Sequence, residues 1–264
     1  MSHWIVSSLP SWLILTGLIV SISGGSVAIQ AVVHRCWPVL RGEEHNDPTR
    51  FAFGVVGFVF AFFIGFVVSA MWGQINDADA RVRGEGAAAL QLARDRTVFD
   101  PADSDRIQQS LLGYAHAAVA EWPEVADGRR YPAADRALAQ LYRTYSEVQA
   151  HTDVQKAFLT TSLSNLDKTS QARSERIMQA RTDTGPPWSL WAVIFATSAM
   201  VLGCAIIYGV AKPAVGYPMV VTIGVLVAAN IFLVLELSHP FVGELSTSAE
   251  PLNEVIRVLD GADQ

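Results

Sequence analysis

One stretch limits this chain more than any other: Phe51 to Trp72, FAFGVVGFVFAFFIGFVVSAMW, 22 residues with no charge and no proline. At about 1.5 Å rise per residue, a helix of this length spans roughly 33 Å, enough for the hydrocarbon core of a bilayer. No breaker separates it from Gly73-Gln74-Ile75-Asn76-Asp77, so the same helix is predicted to leave the membrane and continue in water. Phe58, Phe62 and Phe66 recur every four residues and share one face, with Gly54 one turn earlier. Such a stripe can face lipid or pack against other helices. It can also line a pore as a hydrophobic constriction that gates by dewetting.

The remaining composition agrees with a membrane protein. Of 264 residues, 51% are hydrophobic and 17% charged, and the apolar residues are gathered in runs. The net charge of −6 gives no sign of nucleic acid binding. Cys36 and Cys204 form no disulfide framework and no CxxC metal spacing, and both read as small apolar filler. The N-terminal MSHWIVSSLPSW carries no Lys or Arg, so the first apolar run reads as a retained span and not a cleaved signal.

Four spans follow from hydropathy: Trp12 to Val33, Phe51 to Trp72, Trp188 to Val210, and Tyr217 to about Leu237. In the first, Gly24-Gly25 and the serines let another helix approach, and Gln30 can snorkel. Asp47-Pro48 reads as a helix start, with Asp47 as N-cap. Glu43, Glu44, His45 and Asp47 in the same loop could hold a cation, but their spacing matches no metal motif. Ala78 to Phe99 is helix-favouring and polar, and Asp77-x-Asp79 reads as a solvated surface.

Residues 100–185 read as three helices with no strand alternation. The first starts at Pro101, with Ile107, Leu111, Tyr114 and Ala118 on one stripe, and ends at Trp122-Pro123 and Asp127-Gly128. The second starts at Pro132. The third runs from about Asp153 to Arg181 with a thin apolar stripe, Val154, Phe158 and Leu166, and a polar far end. That pattern predicts a helix exposed on most sides or packed against copies of itself. Residues 211–216 read as a tight connection. Asn230 and Glu236 are the polar residues of the last span, where a buried polar group is costly and usually functional. The tail ends in a short amphipathic turn around Leu252, Val255, Ile256 and Leu259. The expected fold is all-α: spans in 1–72 and 186–238, a helical extramembrane domain in 73–185, and a tail in 239–264. Charge flanking the spans, five Arg against three Arg and one Lys, does not decide orientation.

No Walker loop, GxSxG, HExxH, CxxC or GxGxxG after a strand is present, and the six His residues are dispersed. Nothing argues for an enzyme or a cofactor.

Several segments resemble a known family. The exit of the second span, with Trp72 followed by Gln74 and Asn76, is similar to the pore helix of bestrophin channels. The fourth span closing in Glu236-Leu237-Ser238-His239-Pro240-Phe241 is similar to the bestrophin segment in which Pro-Phe follows the last membrane helix. With Glu44-His45-Asn46-Asp47, Glu121-Trp122-Pro123 and Leu141-Tyr142-Arg143, the chain resembles the bacterial bestrophin-like domain family.

The resemblance implies a homopentameric ion channel in the bacterial inner membrane, with the termini and 73–185 in the cytoplasm. It implies an aromatic neck at Phe58 and Phe62, with Gly54 where a bulky residue is expected. The acidic run that binds calcium in animal bestrophins is missing after Phe241, so no calcium clasp is expected. Partners on this reading are the bilayer, further copies of the chain and permeating ions. The competing reading is a signalling or scaffolding membrane protein whose long helices form a stalk for a partner.

Overall fold

The computed structural model describes residues 9–38, 46–126, 129, 131–181, 185–208 and 213–261. Among these residues nearly all are helical and none is in a strand. Its α-helices are α1 (Ser11–Cys36), α2 (Asn46–Asp95), α3 (Pro101–Ala126), α4 (Pro132–Ser146), α5 (Asp153–Arg181), α6 (Trp188–Ile207), α7 (Pro213–Leu237) and α8 (Glu250–Gly261). Four of them, α1, α2, α6 and α7, are long and apolar enough to cross a membrane. Two compact units result, Met1–Gln74 with Gly185–Ser246 and Ile75–Thr184 with Thr247–Gln264. The tail therefore divides at Ser246.

The first unit holds the membrane helices. α1 and α7 run antiparallel: Ser11 lies opposite Glu236, and Ser23 donates to the Val221 carbonyl at 3.4 Å. Small residues make this approach possible. A Cβ on Gly224 would sit 2.7 Å from Ser23 Oγ and 2.9 Å from its Cα. Gly224→Ala is therefore expected to push α1 and α7 apart, at about 1–3 kcal/mol as for other overpacked sites, read as a lower unfolding temperature in detergent. Ala205, Ile206 and Val220 form a small core against Val27, Val33, Phe53 and Ile223.

Four expectations are corrected here. Gln30 is buried and does not snorkel, because it falls on the packed side of α1. Cys36 is exposed and fills no core. α2 begins at Asn46, so Asp47 sits inside the first turn, where its charge still favours the helix N-terminus. α7 begins at Pro213, so the expected connection is partly helix; proline is tolerated in a first turn, where the N–H groups have no intrahelical partner. α6 ends at Ile207, and Val210 lies outside the described residues.

The second unit packs α3, α4, α5, α8 and the 75–95 part of α2 around one core. Leu92, Ile107, Leu111, Tyr114, Leu141, Leu166, Leu252 and Leu259 are all buried in it. The expected face of α3, Ile107, Leu111, Tyr114 and Ala118, is the buried one. Pro123 does not end α3, which continues to Ala126; its missing N–H removes a single bond near the helix end. Thr152 and Gln155 cap α5 reciprocally: Gln155 N–H donates to Thr152 Oγ1 at 3.1 Å, and Thr152 N–H to Gln155 Oε1 at 3.2 Å. α8 is a full helix where a short turn was expected. It packs through Leu252, Val255 and Leu259, and its Pro251 sits so close to Gly86 that a Cβ there would lie 2.6 Å from the proline Cβ.

As expected, few residues of α5 are buried; the expected apolar stripe is what is corrected. Val154 and Phe158 are exposed, whereas Ser162, Asn165, Thr169, Arg173 and Arg176 are buried with Leu166. The polar end is the packed face, because acidic partners on α2, α3 and α4 meet it. On α2 Asp77 is exposed and Asp79 half-buried, while Ala78, Val82, Glu85 and Ala89 are buried.

Candidate functional site

The membrane half of α2 has two faces. Phe60, Ile64, Val67 and Met71, spaced three or four residues apart, are buried within the chain. On the other side Phe51, Val55, Phe58, Phe62 and Phe66 are exposed, and Phe58 and Phe62 each keep 73% of their surface uncovered. Gly54 lies on this open side, and a Cβ on Gly54, Gly57 or Gly65 would meet nothing within 4 Å. Phe63 is half-buried, turned from the stripe. The stripe is thus a continuous aromatic surface that this chain leaves uncovered.

The other sequence-derived residues fall in several places. Trp72 is half-exposed and Asn76 exposed, while Gln74 is half-buried and its Oε1 accepts no hydrogen bond among the described residues. Glu236 is buried at 1% exposure, and its Oε1 accepts a hydrogen bond from Ser11 Oγ at 2.8 Å. Of its two expected positions, inward-facing or reaching the interface, the first holds. Asn230 is satisfied by its own helix, donating to the Leu226 carbonyl at 2.9 Å. Pro240 and Phe241 are buried. Asp47 is exposed, and Glu43, Glu44 and His45 lie outside the described residues.

Removing the Ser11 hydroxyl would leave a buried carboxylate without this donor. Ser11→Ala is expected to cost about 1–3 kcal/mol, measured as thermal unfolding in detergent, while Ser11→Thr keeps the donor and most of the stability.

The second unit contains a polar site that the sequence reading missed. Arg176 Nε donates to Glu85 Oε2 at 3.0 Å, and its Nη2 to Glu121 Oε2 at 3.2 Å. Arg173 forks onto Glu121, Nε to Oε2 at 2.9 Å and Nη2 to Oε1 at 2.6 Å, and its Nη2 reaches Asp135 at 2.8 Å. The Tyr114 hydroxyl donates to Glu85 Oε1 at 2.8 Å, and Trp122 covers the Arg176 guanidinium at 4.8 Å. Burial works against the charge on both arginines, but the carboxylates outweigh it, Glu121 and Asp135 at Arg173 and Glu85 and Glu121 at Arg176, and hold both above the ordinary arginine range. Burial, then the neighbouring Glu85, pushes the Tyr114 hydroxyl well up, so it stays a donor. One signal was available: Glu85 continues the spacing of Ala78, Val82, Ala89 and Leu92, which marks it as a core position.

A family profile described as the Bestrophin-like domain matches residues 20–252. The chain belongs to the bestrophin-like family. Three crystal structures of a bacterial bestrophin homologue from Klebsiella pneumoniae superpose on this bestrophin-like chain. One has a TM-score of 0.70 at 16% identity, over 95% of this chain and 99% of that one. A second has 0.68 at 18%, over 96% and 98%. A third has 0.65 at 17%, again over 96% and 98%. At these identities the likeness is one of fold, a bestrophin-type channel fold with four candidate membrane helices. No curated protein matches the chain.

Proposed function

We propose that this bestrophin-like chain is one subunit of an oligomeric ion channel, a pentamer in the bacterial inner membrane, whose conduit is lined by the membrane half of α2. The uncovered aromatic stripe carries this reading. A span normally turns its large apolar side chains to lipid or to neighbours. Here they share one helix face with open glycines, and repeated around a symmetry axis they form stacked apolar rings. Phe58 and Phe62 are the neck, Phe66 continues it, and Gly54 leaves its entrance wide. Family membership supports a channel in preference to an enzyme. On this reading the termini and 73–185 are cytoplasmic, an orientation that the family resemblance supports. Native mass spectrometry in detergent is expected to show a pentamer; monomer alone would remove the conduit. Labelling of Ser164→Cys, an exposed position on α5, in a Cys36→Ser, Cys204→Ser background by an impermeant reagent in intact cells would reverse the orientation.

A further inference from the structure

The buried charge cluster is a poor device for stability alone. Glu85 is 0% and Arg176 1% exposed. Taking such groups out of water is costly, and well-packed apolar residues in their place often stabilise as much or more. What the cluster supplies is register. Around Glu85 the buried residues of α2 are small, Ala78, Val82 and Ala89, and the buried residues of α5 are largely short and polar, Ser162, Asn165 and Thr169, with Leu92 and Leu166 as the large apolar residues of the two helices. Such faces offer few knobs to choose between seats one turn apart. The polar rungs do choose. Arg81 meets Gln179 at 2.7 Å, Glu85 meets Arg176 at 3.0 Å, and Asp95 accepts from Ser162 at 3.4 Å, an antiparallel ladder. A one-turn slip would strand the Glu85 carboxylate among alanines or turn Arg176 toward Arg81, and either leaves a buried charge uncompensated.

We propose that Glu85, Glu121, Arg173 and Arg176 form a register pin, a set of positioning residues that locks the 75–95 part of α2 in one seat against α3 and α5. Given the conducting role proposed above, on which its functional meaning rests, the pin fixes how the pore-lining helix is held beyond Gln74.

Spin labels at the exposed positions Arg83 and Ser174 in a Cys36→Ser, Cys204→Ser background, diluted with unlabelled chains, report the α2–α5 distance. The wild-type cluster is expected to give one narrow distance. The apolar variant Glu85→Leu, Glu121→Leu, Arg173→Met, Arg176→Met with Tyr114→Phe is expected to unfold no lower than wild type. It should spread over seats about one helical turn, roughly 5.4 Å, apart. Its ion flux in liposomes should fall several-fold. A single narrow wild-type distance in the apolar variant would overturn the pin, since the seam would then set register unaided. Unfolding below wild type would also overturn it, since the cluster would then be ordinary stabilisation. A wild-type protein that carries no flux would sink the channel reading alone; the distance distribution needs no conduction and still decides the pin.

Discussion

Alanine at Phe58 or Phe62 is expected to raise basal ion flux through liposomes. In the proposed pentamer the two rings would lie one turn apart, about 6 Å along the axis. Water leaves a narrow apolar ring readily, and an ion stripped of its hydration shell cannot cross cheaply, so on that reading the rings would be the barrier. Truncation to Ala removes most of each ring's bulk and lets water in. A barrier lowered by about 1.4 kcal/mol speeds passage about tenfold, and Phe58→Ala with Phe62→Ala should exceed either alone. Phe63 is the control: about 100° away on the same helix and half-buried, it should change stability more than flux when cut to Ala. Equal flux from all three variants and wild type, with assembly intact, would mean that the stripe packs against lipid or other helices.

Arg176→Met alone should be the most damaging single substitution in the helical unit. It leaves the Glu85 carboxylate, at 0% exposure, without its guanidinium, and deprives Glu121 of one of its two arginines. Removing one partner of a buried pair costs about 3–5 kcal/mol, a large share of the roughly 5–15 kcal/mol that holds a typical domain together. Loss of helicity on mild heating, followed by circular dichroism, is the expected readout. Arg176→Lys keeps the charge but loses the fork, so it should fall between wild type and Arg176→Met. A Met variant as stable as wild type would show that Glu85 finds another partner or solvent.

The spans were legible because hydrocarbon imposes a simple demand, about twenty apolar residues in a row, and α1, α2, α6 and α7 meet it in plain view. The aromatic stripe was legible for a related reason: helical periodicity puts Phe58, Phe62 and Phe66 together whatever surrounds them, and the structure leaves that face open. The fit of α5 was not legible. Its buried face reads as polar, and a polar stripe becomes a core only when another helix brings the opposite charge, as Glu85 and Glu121 do for Arg173 and Arg176. That pairing joins residues 52 and 91 positions apart, which no local pattern reveals. Gln30 misled for the opposite reason. A long amide near a span end can reach water, and only the packing of α1 shows that it does not.

Single-channel recording of the purified protein in planar bilayers tests most directly whether α2 lines a conducting pore. Discrete unitary currents are expected, with open probability raised by Phe62→Ala. Silent bilayers from an intact, correctly inserted oligomer, for the wild type and for Phe62→Ala alike, would contradict it.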